Sequence, residues 1–274
     1  MEGPTPPADG RLRVGVVGAR GRMGSTTVSA VEAAPDLELV AALDVGDDLA
    51  TLEQAGAQVA VDFTTRAAAM VTIAHCLAAG VHVVVGTTGL DEADLDGVRA
   101  LIGQAQAAGR PVGVVVAPNF SVGAVLMMRF AAAAARFLPA AEIIELHHAG
   151  KADAPSGTAR RTAGLVDAAR RGAGLAVPPD ATTQALDGAR GARVDDVPVH
   201  SVRLPGLVAH QEVLLGGTGE LLTIRHDSFD RVSFMPGVLR AVRAVPTRPG
   251  LTLGLEALLG LDDPGRPTTD RGGR

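Results

Sequence analysis

The sequence has no tryptophan and no tyrosine, a single cysteine and, among 25 basic residues, a single lysine. Without Trp and Tyr, platforms on which nucleobases stack are scarce. A formal net charge of −5 provides no basic field for nucleic acid. One cysteine, Cys76, excludes an intramolecular disulfide and a cysteine-built zinc site. No apolar run is long and uninterrupted enough to span a membrane. The first residues, MEGPTPPADG, lack a basic segment followed by an apolar one and do not read as a secretory signal. These exclusions leave a cytoplasmic globular protein with no nucleic-acid or membrane partner. The chain has 274 residues, 47% hydrophobic and 20% charged, enough for one large domain or two modest ones. In a chain that writes its cations as Arg, the lone Lys151 needs a reason.

Residues 1–11 and 262–274, rich in Pro, Gly and polar side chains, read as a disordered leader and a disordered tail. Short apolar runs at 13–17, 37–43, 57–63, 81–85 and 111–117 read as buried strands. Helical spacing fills 22–34, 67–79 and 91–108. Strand–helix alternation predicts an α/β fold with a doubly wound parallel sheet. The pattern then changes to a helix at 121–137, a strand at 142–146, a loop and a helix at 158–171. A loop at 172–196 leads to three strands, 199–204, 209–215 and 221–227, expected to be antiparallel, and a closing helix at 234–243. The second half is therefore α+β, with a mixed, largely antiparallel sheet.

Gly18, Ala19, Arg20, Gly21, Arg22, Met23 and Gly24 lie between the first strand and the first helix. Three glycines there, spaced G-x-x-G-x-x-G, permit a tight turn and let backbone N–H groups approach a pyrophosphate. The helix that follows favours anionic phosphate at its N-terminus. Asp44, twenty residues past Gly24 and at the end of the second strand, stands where a carboxylate grips an adenosine ribose. Asp44 argues for NAD, because a carboxylate repels a 2′-phosphate, whereas Arg20 and Arg22 suit NADP. Both NADH and NADPH are expected to serve, and these residues do not rank them. Phe63, Gly86-Thr87-Thr88 and Ala117-Pro118-Asn119-Phe120 follow the third, fourth and fifth strands. A ligand of an open α/β sheet binds along that edge.

Residues 145–158, ELHHAGKADAPSGT, are the densest chemistry in the chain. His147 is a proton donor near neutral pH, and Lys151 is a cationic partner for a carboxylate or a second proton source. Ser156-Gly157-Thr158 opens a helix, where N–H groups and hydroxyls bind a carboxylate. Adjacent histidines in extended chain point apart, which argues against a metal site built from His147, His148 and Asp153, and no metal is expected. The other histidines, His75, His82, His200, His210 and His226, read as structural.

These segments, together with the run from Gly206, GLVAHQEVLLGGTGELLTIRHDSFDRVSFMPGVLRAV, resemble the 4-hydroxy-tetrahydrodipicolinate reductase (dihydrodipicolinate reductase) family, in an actinobacterial-like form. The E-x-H-H-x-x-K-x-D-A-P-S-G-T signature carries most of the resemblance. It implies a Rossmann-like dinucleotide-binding domain from 12–121 and 232–261, and a substrate-binding and oligomerisation domain at 122–231. It implies a homotetramer that reduces a small dicarboxylate to tetrahydrodipicolinate on the diaminopimelate–lysine route. His147 would donate the proton with help from Lys151, and His148, Lys151, Ser156, Gly157 and Thr158 would hold the substrate carboxylates. The cofactor would contact the glycine turn, Asp44, the 86–88 turn and residues 117–120. Many members carry a basic residue where this chain has Gly150.

Overall fold

The computed structural model describes residues 10–261, so nearly all of the expected leader and the whole expected tail lie outside the described residues. Described residues up to Phe120, with those from Phe234 onward, form one compact unit, and Ser121–Ser233 form a second.

The first unit is built on six parallel strands: β1 (Leu12–Val17), β2 (Leu37–Leu43), β3 (Val59–Asp62), β4 (His82–Val85), β5 (Gly113–Val116) and β6 (Gly250–Leu253, the last in the chain and numbered here with its sheet). Their order is β2-β1-β3-β4-β5-β6. Sequences such as VAVD and GVVV are wholly buried, as strands covered on both faces must be. Helices α1 (Arg22–Ala33), α2 (Ala50–Gln54), α3 (Arg66–Ala79), α4 (Glu92–Ala107) and α5 (Met235–Ala244) complete the unit. Local chemistry sets the helix limits. Asp91 and Asp94 form a reciprocal capping box on α4, and Gly80, at φ +79°, ends α3. Ile73, Leu77, Val83, Val85, Val98 and Val114 sit in the core between sheet and helices.

In the second unit, α6 (Val122–Ala134) and α7 (Gly157–Gly172) pack on a five-stranded mixed sheet. Its strands are β7 (Ala140–His147), β8 (Ala192–Val194), β9 (Val197–Arg203), β10 (Ala209–Gly217) and β11 (Glu220–Ser228), in the order β11-β10-β7-β9-β8. Ser121 and Ser156 cap the two helices with their hydroxyls.

The structure departs from the sequence expectations at four places. The strand expected at 199–204 is not antiparallel to its main neighbour: β9 runs parallel to β7. Helix α7 connects the two, so the return to the same direction is a crossover, which local alternation does not report. Helix α2 and strand β6 were not expected, because five and four residues are too few to show a period. Strand β8 lies inside the segment read as a loop, where it pairs antiparallel with β9.

Candidate functional site

The residues expected to hold a dinucleotide all lie at the carboxyl ends of the first unit's strands. Numbering along the sheet reverses at β1, which has β2 on one side and β3 on the other, and ligands bind at such a switch point. The turn after β1 is pinned to the end of β2 by hydrogen bonds from the Gly18 and Ala19 N–H groups to the Leu43 carbonyl, 2.8 and 2.9 Å. Gly18 has φ +81°, and a Cβ there would stand 2.7 Å from the Phe63 carbonyl oxygen. A Cβ on Gly24 would meet the Gly18 carbonyl oxygen at 1.9 Å. Helix α1 starts at this turn with no side-chain cap and no acidic residue in its first turn. Its opening N–H groups and positive dipole end are thus left to an external anion, and the backbone fits the pyrophosphate of a dinucleotide.

Asp44 follows β2 and accepts the Arg20 backbone N–H at 2.7 Å and the Val45 N–H at 2.8 Å. Those two bonds hold its carboxyl below the ordinary range, and the nearby Arg20 guanidinium adds to them. A carboxylate has about four acceptor positions, so hydroxyl donors of a ribose still find lone pairs. The Arg20 guanidinium lies 3.8 Å from both Asp44 and Asp47, while Arg22, Thr88 and Pro118 are exposed. Phe63 gathers the remaining strand ends. A Cβ on Gly86 would meet its ring at 2.0 Å, and its ring stacks edge-on against Phe120 at 5.9 Å between centroids.

One residue of this surface was missed in the sequence. Asp62, fully buried at the end of β3, accepts the Thr64 hydroxyl at 2.7 Å and the Thr87 hydroxyl at 3.0 Å. It sets the direction of both hydroxyls and joins two of the loops. Nearby Cys76 is buried in α3, and burial, with Asp62 beside it, pushes its thiol up to about 12, so it is not a nucleophile.

The second set lies on the second unit. Along β7, buried Ala141, Ile143 and Glu145 alternate with half-buried residues, so the stripe that faces the helices ends in a carboxylate followed by His147. Glu145 is fully buried. It accepts from His147 Nδ1 at 2.5 Å, from the Ser156 N–H at 3.1 Å and from Arg203 through two parallel bonds of 2.8 Å. Burial opposes its ionisation, but hydrogen bonds from His147, Arg203 and Ser201 hold the carboxyl far below the ordinary range. An ionised Glu145 accepts only, so the proton on His147 Nδ1 points at it. Arg203 also donates to the Asp153 carbonyl at 2.7 Å, and the Asp153 carboxylate pairs with Lys151 Nζ at 2.6 Å. Burial raises the Asp153 carboxyl, but the hydrogen bond and charge of Lys151 together with backbone N–H bonds outweigh it and leave it lowered.

Ser156 is engaged twice: its N–H is taken by Glu145 and its hydroxyl caps α7 at the Ala159 N–H. Gly157 has open space where a Cβ would be, and Thr158 follows it in the first turn of α7. Gly150 has no left-handed φ, and a Cβ there would sit 3.5 Å from His148 Nδ1, an ordinary contact. Four of the other histidines make hydrogen bonds within the protein: His82 with the Gly113 N–H, His200 with Glu142, His210 with Asp227 and His226 with Ser121, while Nε2 of His75 is buried without a partner among the described residues. Among the described residues, no group of three or more His, Cys, Asp or Glu is placed to hold a metal ion. Glu145 and Arg203 were not singled out in the sequence. Glu145 was within reach, two residues before His147 on one face of a strand, but Arg203 is brought in only by the parallel pairing of β7 with β9.

Two family profiles match the chain: "Dihydrodipicolinate reductase, N-terminus" over residues 12–120, and "Dihydrodipicolinate reductase, C-terminus" over residues 123–259. A 4-hydroxy-tetrahydrodipicolinate reductase of Streptomyces griseus is 59% identical over 252 residues, 92% of this chain and 99% of that protein. The enzyme of the same name from Nocardia farcinica is 59% identical over 250 residues, 91% of this chain and 99% of its own. A solved structure of dipicolinate-bound dihydrodipicolinate reductase from Paenisporosarcina sp. TG-14 superposes with a TM-score of 0.78 at 38% identity, covering 90% of this chain and 99% of that one. With both profiles matched in sequence order and such relatives spanning nearly its whole described length, the chain belongs to the dihydrodipicolinate reductase family.

Proposed function

We propose that this protein reduces 4-hydroxy-tetrahydrodipicolinate to tetrahydrodipicolinate, with NADH or NADPH as reductant, in diaminopimelate and lysine biosynthesis. The observation that carries the reading is one hydrogen-bonded network. Through Glu145 and Arg203 it ties together His147, the loop with Lys151 and Asp153, and the start of α7. Such an arrangement binds an anionic substrate and hands it a proton. The dipicolinate held by the Paenisporosarcina relative is a dicarboxylate of the same class.

The nicotinamide cofactor supplies hydride when bound. The turn at Gly18–Gly24 and the start of α1 hold its pyrophosphate, and Asp44 takes the adenosine ribose. The ends of β3, β4 and β5, with Phe63, Gly86, Thr87, Thr88 and residues 117–120, face the nicotinamide half. On the second unit, the N–H groups at Gly157 and Thr158, with His148 and Lys151, bind the substrate carboxylates. The substrate's 4-hydroxyl leaves as water, which gives a ring C=C conjugated to the C=N; hydride added at the carbon that bore the hydroxyl would leave the adjacent ring carbon electron-rich, and His147 would protonate that carbon from Nε2. The Nε2–H bond breaks with its electron pair kept on nitrogen, while Nδ1–H stays on Glu145. Lys151 holds positive charge beside the developing anion. The protein acts as a homotetramer in the cytoplasm. Two large apolar side chains of β11, Leu221 and Leu222, are 65% and 41% exposed and offer sheet surface for a second copy.

The test is oxidation of NADH and, separately, NADPH by purified protein, with the unstable substrate made in situ from pyruvate and aspartate semialdehyde by a synthase. Synthase-dependent oxidation is expected with both cofactors. Cofactor binding, read by its fluorescence with no Trp and little aromatic background, but without oxidation, would overturn the assignment.

A further inference from the structure

We propose, on the reading of His147 as the proton donor, that Glu145 and Arg203 are a positioning pair that fixes which nitrogen of His147 delivers the proton. The pair also holds the donor in register with the two elements that bind substrate.

Glu145 is fully buried on a face whose preceding members are Ala141 and Ile143. An apolar side chain would continue that stripe. A buried ion pair gives little net stability, because desolvation offsets the attraction. What Glu145 holds is therefore the better account of its presence. One oxygen faces His147 Nδ1, the other takes the Ser156 N–H at the start of α7, and both meet Arg203. Arg203 lies directly across from His147 in the parallel register and reaches on to the Asp153 carbonyl, beside the Lys151–Asp153 pair. Donor, loop and helix start are thus referred to a single carboxylate.

The bidentate guanidinium matters for the proton as well as the shape. It keeps Glu145 anionic, so the carboxylate accepts the Nδ1 hydrogen bond without taking the proton away. The imidazole can turn neither ring nitrogen end-for-end without breaking the bond at 2.5 Å. Nε2 is left to lose its proton to substrate and to be recharged from solvent.

The experiment is Glu145→Gln, which keeps the shape and removes the charge. Turnover is expected to fall by about 10- to 100-fold, part of the worth of a general acid. KM for the dicarboxylate and the fluorescence-measured affinity for NADH should stay within about threefold, ~0.6 kcal/mol. The solvent isotope effect on kcat should rise while the effect of deuterium at the transferable cofactor position shrinks, because proton delivery has become the slow step. Wild-type turnover overturns the proposal. So does a loss of turnover without that exchange of isotope effects, which is what a merely structural role gives.

If Glu145→Gln does not fold, the double variant Glu145→Gln with Arg203→Gln removes both charges and answers the same question. Arg203→Lys, at a side chain 19% exposed, retains the charge without the fork and must show the same isotope pattern in weaker form. A wild-type isotope pattern and turnover in whichever of these folds overturns the pair. His147→Gln is run beside them. If it turns over normally, the proton-donor reading has failed. If it is inactive while Glu145→Gln is fully active, only the positioning pair has failed.

Discussion

The two units bind by different means. The edge of the first is made of backbone: three glycines, a capless helix start and strand ends packed so closely that a Cβ on Gly24 or Gly86 would lie 1.9 or 2.0 Å from its neighbour. The loop of the second is made of side chains, and its order comes from charge: Glu145, Arg203, Lys151 and Asp153 in one connected set. On the proposed function, the glycine turn of the first would hold the pyrophosphate, a cofactor part that does not react, so shape and N–H groups suffice there. On the same proposal, the second would handle a group whose charge changes, which calls for side chains that hold or release protons. It follows that the first should fail when atoms are added and the second when charge is moved.

The largest expected effect tests the second half of that contrast. Lys151→Arg keeps the cation and can still pair with Asp153, but it replaces a compact ammonium with a larger, planar, permanently protonated fork that presents its donors in a different geometry. A fall in kcat of about 100-fold or more is expected. Wild-type kcat in the variant would remove Lys151 from the assigned machinery. Gly24→Ala comes next. Overpacking costs about 3 kcal/mol where the neighbour is backbone and cannot give way. Spent on the turn, that is a loss of about 100-fold in NADH affinity. Gly103→Ala is the matched control: it lies inside α4 with nothing within 4 Å of its Cβ and should leave affinity unchanged while raising the melting temperature. Equal losses in the two would show that the crowding at Gly24 is irrelevant.

Charge does enter the first unit at Asp44. Asp44→Asn keeps an acceptor for the Arg20 N–H and removes the repulsion toward a 2′-phosphate. The ratio of kcat/KM for NADPH over NADH should rise by about tenfold, ~1.4 kcal/mol. An unchanged ratio would mean that Arg20, whose guanidinium is 73% exposed, already neutralises the carboxylate.

The same contrast explains what the sequence disclosed. Runs such as VVVG and VVVAP announced the parallel strands and the loops at their ends, because a strand buried on both faces is apolar throughout. The glycine turn and the His-His-Lys loop were legible because their residues are neighbours in the chain. Helix α2 and strand β6 were too short to show a period. The direction of β9 depends on the crossover through α7 and not on its own alternation. Asp62 and Arg203 act on partners 25 and 58 residues away, across strands whose pairing no local pattern reveals. Glu145 lies between these cases, readable from its place two residues before His147 once β7 is known to be a strand.

The smallest expected effect is the sharpest check on the contrast, because it adds atoms where charge is said to rule. Gly150 has a conformation open to any residue, and its Cβ would make only an ordinary 3.5 Å contact with His148. Gly150→His adds a basic residue beside the lysine. An exposed ion pair contributes about 0.2–1 kcal/mol, so KM for the dicarboxylate should fall by no more than about fivefold. Turnover should be unchanged, since neither the Glu145–His147 bond nor the Lys151–Asp153 pair is touched. A tenfold loss of kcat would mean that this loop, like the turn at Gly24, is selected for shape, and the distinction between a cradle of backbone and a site of charges would fall.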